Sequence, residues 1–125
     1  MVHGYKDLIV WQRSIELVIE IYRVTQDFPK NEIYGLTSQM RRSAVSIASN
    51  IAEGRLRGTK RDFLQFLRIA YSSGGELETQ IIIAKQLPEM KELSYIKAES
   101  LLTESMKMLN GMMQKLNPLT NKLGS

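Results

Sequence analysis

Apolar residues that recur at helical spacing, prolines confined to the breaks between those stretches, and short connections throughout point to an all-α protein, a single-domain antiparallel up-and-down four-helix bundle. The 125 residues fall below the roughly 150 that serve as a soft prior for one domain, so there is room for one compact unit. With 43% hydrophobic and 24% charged residues the chain carries material for a core and lacks the composition of a disordered polymer. Pro29, Pro88 and Pro118 punctuate four expected helices, over residues 7–27, 35–53, 59–87 and 92–117, because proline cannot continue a helix interior. Residues 1–117 then form the bundle and 118–125 a flexible C-terminal tail.

In the first helix Leu8, Trp11, Ile15, Val18, Ile19 and Tyr22 share an apolar face, with Gln12, Arg13, Glu16, Glu20 and Arg23 on the other side. Val10, Leu17, Ile21 and Val24 widen the apolar arc to roughly 220°, about twice the stripe that one core requires. Trp11 and Tyr22 are expected in the core, with interface anchoring as the second option. The second helix places Leu36, Met40, Ala44, Ile47, Ala48 and Ile51 on one face, while Ser43, Ser46 and Ser49 permit close backbone approach. Gly54 is suited to a left-handed helix C-cap, and Thr59 with Asp62 makes a capping-box-like start for the third helix.

The third helix aligns Phe63, Phe66, Leu67, Ala70, Leu77, Ile81 and Ala84, with Leu64, Tyr71 and Ile82 on one shoulder. Ser72-Ser73-Gly74-Gly75 could break it, at about 0.8–1.0 kcal/mol per glycine relative to alanine, but the apolar phase runs through unbroken and one helix is expected. The fourth uses Leu102, Met106, Leu109, Met113 and Leu116 as its inner stripe, with Leu101, Met108 and Met112 beside it. More apolar arc than one bundle can cover predicts self-association through the outer faces, at Val10, Leu17, Ile21, Leu64, Tyr71, Met108 and Met112.

The composition removes much enzyme chemistry. There is no cysteine to form a disulfide, a thiol nucleophile or a thiolate metal site, and the sole histidine, His3, sits at the terminus. Glu53, Glu76 and Glu78 have no histidine at ligand spacing, and Ser43, Ser46 and Ser49 have none to activate them, so capping, ion pairing and packing account for them. No enzyme activity, cofactor or metal is expected. No bilayer-spanning run and no signal-peptide pattern occur, which predicts a cytoplasmic protein.

The formal charge is +4 and unevenly placed. Between positions 41 and 68, Arg41, Arg42, Arg55, Arg57, Lys60, Arg61 and Arg68 face only Glu53 and Asp62, a local net of +5 against −1 for the remainder. Closely spaced cations beside a helix start suit phosphate binding, so these seven residues form the candidate nucleic-acid surface. Arg41 and Arg42 point about 100° apart, so one is expected to be structural and the other to join the basic surface. A solvated loop with internal pairs, such as Arg57 or Arg61 with Asp62 or Glu53, is the alternative.

Several segments resemble a known family. Residues 39–54, reading from Gln39-Met40-Arg41-Arg42 to Ala52-Glu53-Gly54, then Asp62-Phe63-Leu64-Gln65-Phe66-Leu67-Arg68-Ile69-Ala70 and Glu76-Leu77-Glu78-Thr79-Gln80, are similar to the four-helix-bundle proteins encoded in intervening sequences of bacterial large-subunit (23S) ribosomal RNA genes. Leu8-Ile9-Val10-Trp11 and the Phe28-Pro29-x-x-Glu32-x-Tyr34-Gly35-Leu36 turn fit as well, covering roughly residues 5–90. Ala48 stands where the family often has proline, and Ser73-Gly74-Gly75 replaces a usual Gly-Ser-x pattern. The resemblance implies a homo-oligomer, commonly a pentamer, with an RNA-related role and no known enzymatic activity. The accessory proteins of diversity-generating retroelements, basic pentamers that bind reverse transcriptase and nucleic acid, look like relatives. Two functions therefore stand as expectations: a homo-oligomer that binds RNA or another nucleic acid at the helix 2–helix 3 junction, or an adaptor for a protein partner such as a polymerase.

Overall fold

Leu8, held extended after a single 3-10 turn at Tyr5–Asp7, launches the first helix, α1, over Ile9–Thr25. The structure, a computed structural model, describes residues 4–117; His3 and the expected tail at 118–125 lie outside the described residues. Three further helices follow, α2 over Leu36–Leu56, α3 over Lys60–Ala84 and α4 over Ile96–Leu116, with no strand among the described residues. Each helix packs on two others, α1 on α2 and α4 and α3 on the same two, so the four stand in a square with α1 and α3 on one diagonal. This is the expected all-α four-helix bundle.

Local chemistry sets the boundaries. At the end of α1, Thr25 Oγ1 donates to the Ile21 carbonyl (2.6 Å), and Pro29 follows buried Phe28. The Glu32 carboxylate accepts from Leu36 N (3.0 Å), satisfying one of the N–H groups left over at the start of α2. Thr59 caps α3 as its spacing predicts, its hydroxyl accepting from Asp62 N at 3.1 Å. The remaining boundaries move. Helix α2 continues three residues past 53 because Gly54 is not its cap: it is buried inside the helix, where a Cβ would come within 2.6 Å of Phe66 Cβ. The left-handed position falls to Gly58, at φ +85°. Residues 85–95 form a turn around buried Met90 and Tyr95, so α3 ends at Ala84 and α4 begins at Ile96 rather than 92. Tyr95 Oη donates to the Met90 carbonyl (2.8 Å), and burial pushes its hydroxyl pKa up to about 12.

Helix α3 runs straight through Ser72–Gly75. Ser73 hydrogen-bonds Ser46 on α2 (2.8 Å between hydroxyls), and Gly74 leaves room for the Met106 side chain of α4. Small residues here let α3 approach both neighbours.

The core corrects the expected phase of α1. Val10, Ser14, Leu17, Ile21 and Val24 are buried, whereas Ile15, Ile19 and Tyr22, expected inside, are exposed. Val10, Leu17 and Ile21 are therefore core residues and not an oligomer surface. An arc of about 220° fits two phases equally well, and small Ser14 at the contact selects the closer approach. The buried stripe consequently abuts the charged wedge, which draws Glu20 inside: its carboxylate accepts from Arg23 Nε (2.9 Å) and Arg23 Nη2. Those bonds hold the Glu20 carboxyl below its ordinary pKa, against the opposing effect of burial. Leu64 is likewise buried, and Met108 and Met112 pack half-buried on the core, so of the seven expected interface residues Tyr71 alone is exposed. No described helix is long and apolar enough to cross a membrane.

Candidate nucleic-acid interface

The α2–α3 turn collects cations because both helix ends are basic, but the folded chain divides the seven expected residues into three groups. Arg41 is structural: its Nε donates to Thr25 Oγ1 (2.9 Å) and its guanidinium lies 4.4 Å from the Tyr22 ring centroid, tying α2 to the end of α1. Its neighbour Arg42 is exposed and without an ion pair among the described residues. Both lie about 16 residues before Arg57, roughly 24 Å along the α2 axis at 1.5 Å per residue, so they belong to the far end of the bundle. The +5 window is not one site.

At the turn itself, Arg57 Nε donates to Glu53 Oε2 (3.0 Å) while its guanidinium stands 4.9 Å from the Phe66 centroid. Arg55 is half-buried and already engaged. The Arg57–Glu53 pair secures the turn, in line with the internal pairing weighed from sequence. The third group is Lys60, Arg61 and Arg68, all exposed and without an ion pair among the described residues. They line an open cleft of about 590 Å³ between α3 and the end of α4, together with Asp62, Leu64, Gln65 and Leu116. Three cations against one carboxylate, at a helix start, make this corner a place for an anion.

The cleft continues along the α3–α4 groove into a second hollow of about 530 Å³. Leu64 and Arg68 line both, and the second adds Tyr71 and Ser72 from α3 with Asn110, Met113, Gln114 and Asn117 from the end of α4. Sequence reasoning missed these α4 residues because it followed charge. The signal was present: Asn110, Gln114 and Asn117 recur at i, i+4 and i+7, one outer face of a helix.

Across the bundle, Tyr5, Trp11, Ile15 and Val18 meet Val45, Ala48, Ser49 and Ala52 around a shallower hollow of about 260 Å³, with the Tyr5 ring edge-on to Trp11 at 5.2 Å. The acidic candidates do not converge: Glu53 pairs with Arg57, while Glu76 and Glu78 stand exposed on α3. Among the described residues no three His, Cys, Asp or Glu side chains come together as metal ligands would.

Comparison with known proteins agrees with this architecture. A crystal structure of a protein of unknown function from the S23 ribosomal protein family of Bacteroides thetaiotaomicron superposes with a TM-score of 0.70 at 23% identity, over 85% of this chain and 99% of that one. No curated protein matches the chain. The family model for the 23S rRNA-intervening sequence protein matches residues 6–111, reaching past residue 90 into α4. The chain belongs to the 23S rRNA-intervening sequence protein family.

Proposed function

We propose that the protein is a non-enzymatic RNA-binding bundle that assembles with copies of itself and contacts phosphates through Lys60, Arg61 and Arg68. The observation that carries this reading is the open α3–α4 cleft, whose three cations have no ion pair among the described residues. Cations that outnumber the carboxylates of one groove three to one suit an external anion, and a polyanion repays several weak contacts at once. Self-association is supported by the α1–α2 wall, where Ile15, Ile19, Tyr22 and Val45 remain exposed on one apolar face. Five copies, the number that the family resemblance implies, would carry +20 and repeat the cationic corner around a ring.

The test is a solution mass with and without nuclease, followed by RNA titration over a range of salt. An oligomer that copurifies with RNA and loses affinity steeply with salt, about 0.7 in the log–log slope per neutralised phosphate, is the expected result. Unchanged affinity and slope after Lys60→Glu, Arg61→Glu and Arg68→Glu in an intact oligomer would exclude this site. A stoichiometric protein partner retained after nuclease treatment, with no affinity for RNA, would favour the adaptor role instead.

A further inference from the structure

The two halves of the α3–α4 groove share a wall but differ in chemistry. One is cationic, at Lys60, Arg61 and Arg68; the other pairs the exposed Tyr71 and Ser72 with amide side chains from α4. On α3, Arg61, Leu64, Arg68 and Tyr71 follow one another at three-, four- and three-residue steps, a single stripe roughly 15 Å long. Opposite it, Asn110 and Gln114 occupy one face of α4, and half-buried Met113 with Leu64 forms an apolar floor. A phosphate uses only the donor half of an amide side chain, whereas the edge of a nucleobase uses its donor and acceptor together. A phenol ring that is 37% exposed is a surface on which a base stacks. Bases inside an A-form duplex are already stacked on their neighbours, so a ring that stacks on a base and amides that hold that same base's edge together require a base that is unpaired.

We infer that the α3–α4 groove takes a single-stranded segment of RNA, with its phosphates on Lys60, Arg61 and Arg68 and one unpaired base against Tyr71, its edge hydrogen-bonded by Asn110 and Gln114. The inference rests on the RNA-binding reading and adds the strandedness of the ligand and the residues that hold the base. Arg68 lines both hollows, where the phosphate next to the bound base falls. The apolar floor excludes water from beneath the base, which strengthens the amide hydrogen bonds.

Three probes of equal length test it with the full chain: a 12-nucleotide RNA single strand without self-complementarity, the same backbone with abasic residues throughout, and the single strand annealed to its complement. The wild type should bind the first at least tenfold more tightly than the other two. Asn110→Ala combined with Gln114→Ala, and separately Tyr71→Ala, should bind all three alike, with unchanged salt slope, solution mass and helical circular dichroism; Tyr71→Phe keeps the ring and most of the preference. Equal wild-type affinity for the three probes overturns the inference and leaves RNA binding standing. A preference that persists undiminished in the variants overturns it too, by removing the base-holding residues, whereas failure to bind any probe sinks the inference and the RNA-binding reading together.

Discussion

The α1–α2 wall and the α3–α4 groove are both made of helix shoulders that the core leaves uncovered, yet one is apolar and the other is lined by cations and amides. On the first, Trp11, Ile15 and Val18 face Val45, Ala48 and Ala52; on the second, Lys60, Arg61 and Arg68 face Leu116, and Tyr71 faces Asn110 and Gln114. The difference lies in what each helix carries about a quarter to half a turn away from its buried stripe. On these sides α1 carries Ile15 and Val18, and α3 carries Arg61 and Arg68. Each shoulder leaves exposed surface beyond the core, and the proposed uses differ accordingly, copies of the chain on one and nucleic acid on the other.

The largest effect should come from the stripe beneath the apolar wall. Leu17→Ala, at a fully buried position, should cost about 2–5 kcal/mol in denaturant unfolding; a variant that unfolds normally but splits the oligomer would restore Leu17 to the outer face. Next, combined reversal of Arg61 and Arg68 to Glu should lower RNA affinity by roughly 30-fold or more and flatten its salt dependence, while solution mass and unfolding midpoint hold. Arg42→Glu, at the far end of α2, should have much less effect, and an equal loss there would merge the two basic groups again.

Conversely, Ile15→Asp with Ile19→Asp should reduce the solution mass while changing the stability of the subunit by no more than about 0.5 kcal/mol per site. An unchanged mass would take self-association off this wall. Glu20→Gln probes the edge where the buried stripe meets charge, and should lower the thermal midpoint by roughly a few degrees at neutral pH. The folded Glu20 carboxyl titrates below its unfolded value, so its contribution is complete above about pH 4.3 and is lost as pH falls through the folded value. The variant should therefore show a shallower acid limb, seen by repeating the melts from pH 7 to pH 2. Smallest of all, Gly75→Ala introduces a Cβ with nothing within 4 Å and should stabilise α3 by about 0.5–1 kcal/mol without altering RNA binding.

Much of this fold is legible in particular residues. Thr59 and Asp62 mark the start of α3, Pro29 and Pro88 lie between helices, and an unbroken apolar phase carries α3 through two glycines. The positions of Gly54 and Ser14 are not legible in the same way, because a glycine before a basic loop reads equally as a cap or as a contact, and an isolated serine carries no phase. Whether Gly54 ends α2 depends on Phe66, twelve residues on and in another helix. The candidate site was half visible: Lys60, Arg61 and Arg68 stand out by charge, but Asn110 and Gln114 join them only because α4 returns antiparallel to α3.

Periodicity, proline placement and composition by themselves determined four helices, one domain and a basic turn, since these follow from interactions within a few residues of sequence. The tertiary structure alone decided which side of α1 is buried, which arginines are tied to Thr25, Tyr22, Glu53 or Phe66, and which remain facing a groove. An apolar arc wider than a core needs satisfies local periodicity in more than one rotation, and only close packing against neighbouring helices selects among them.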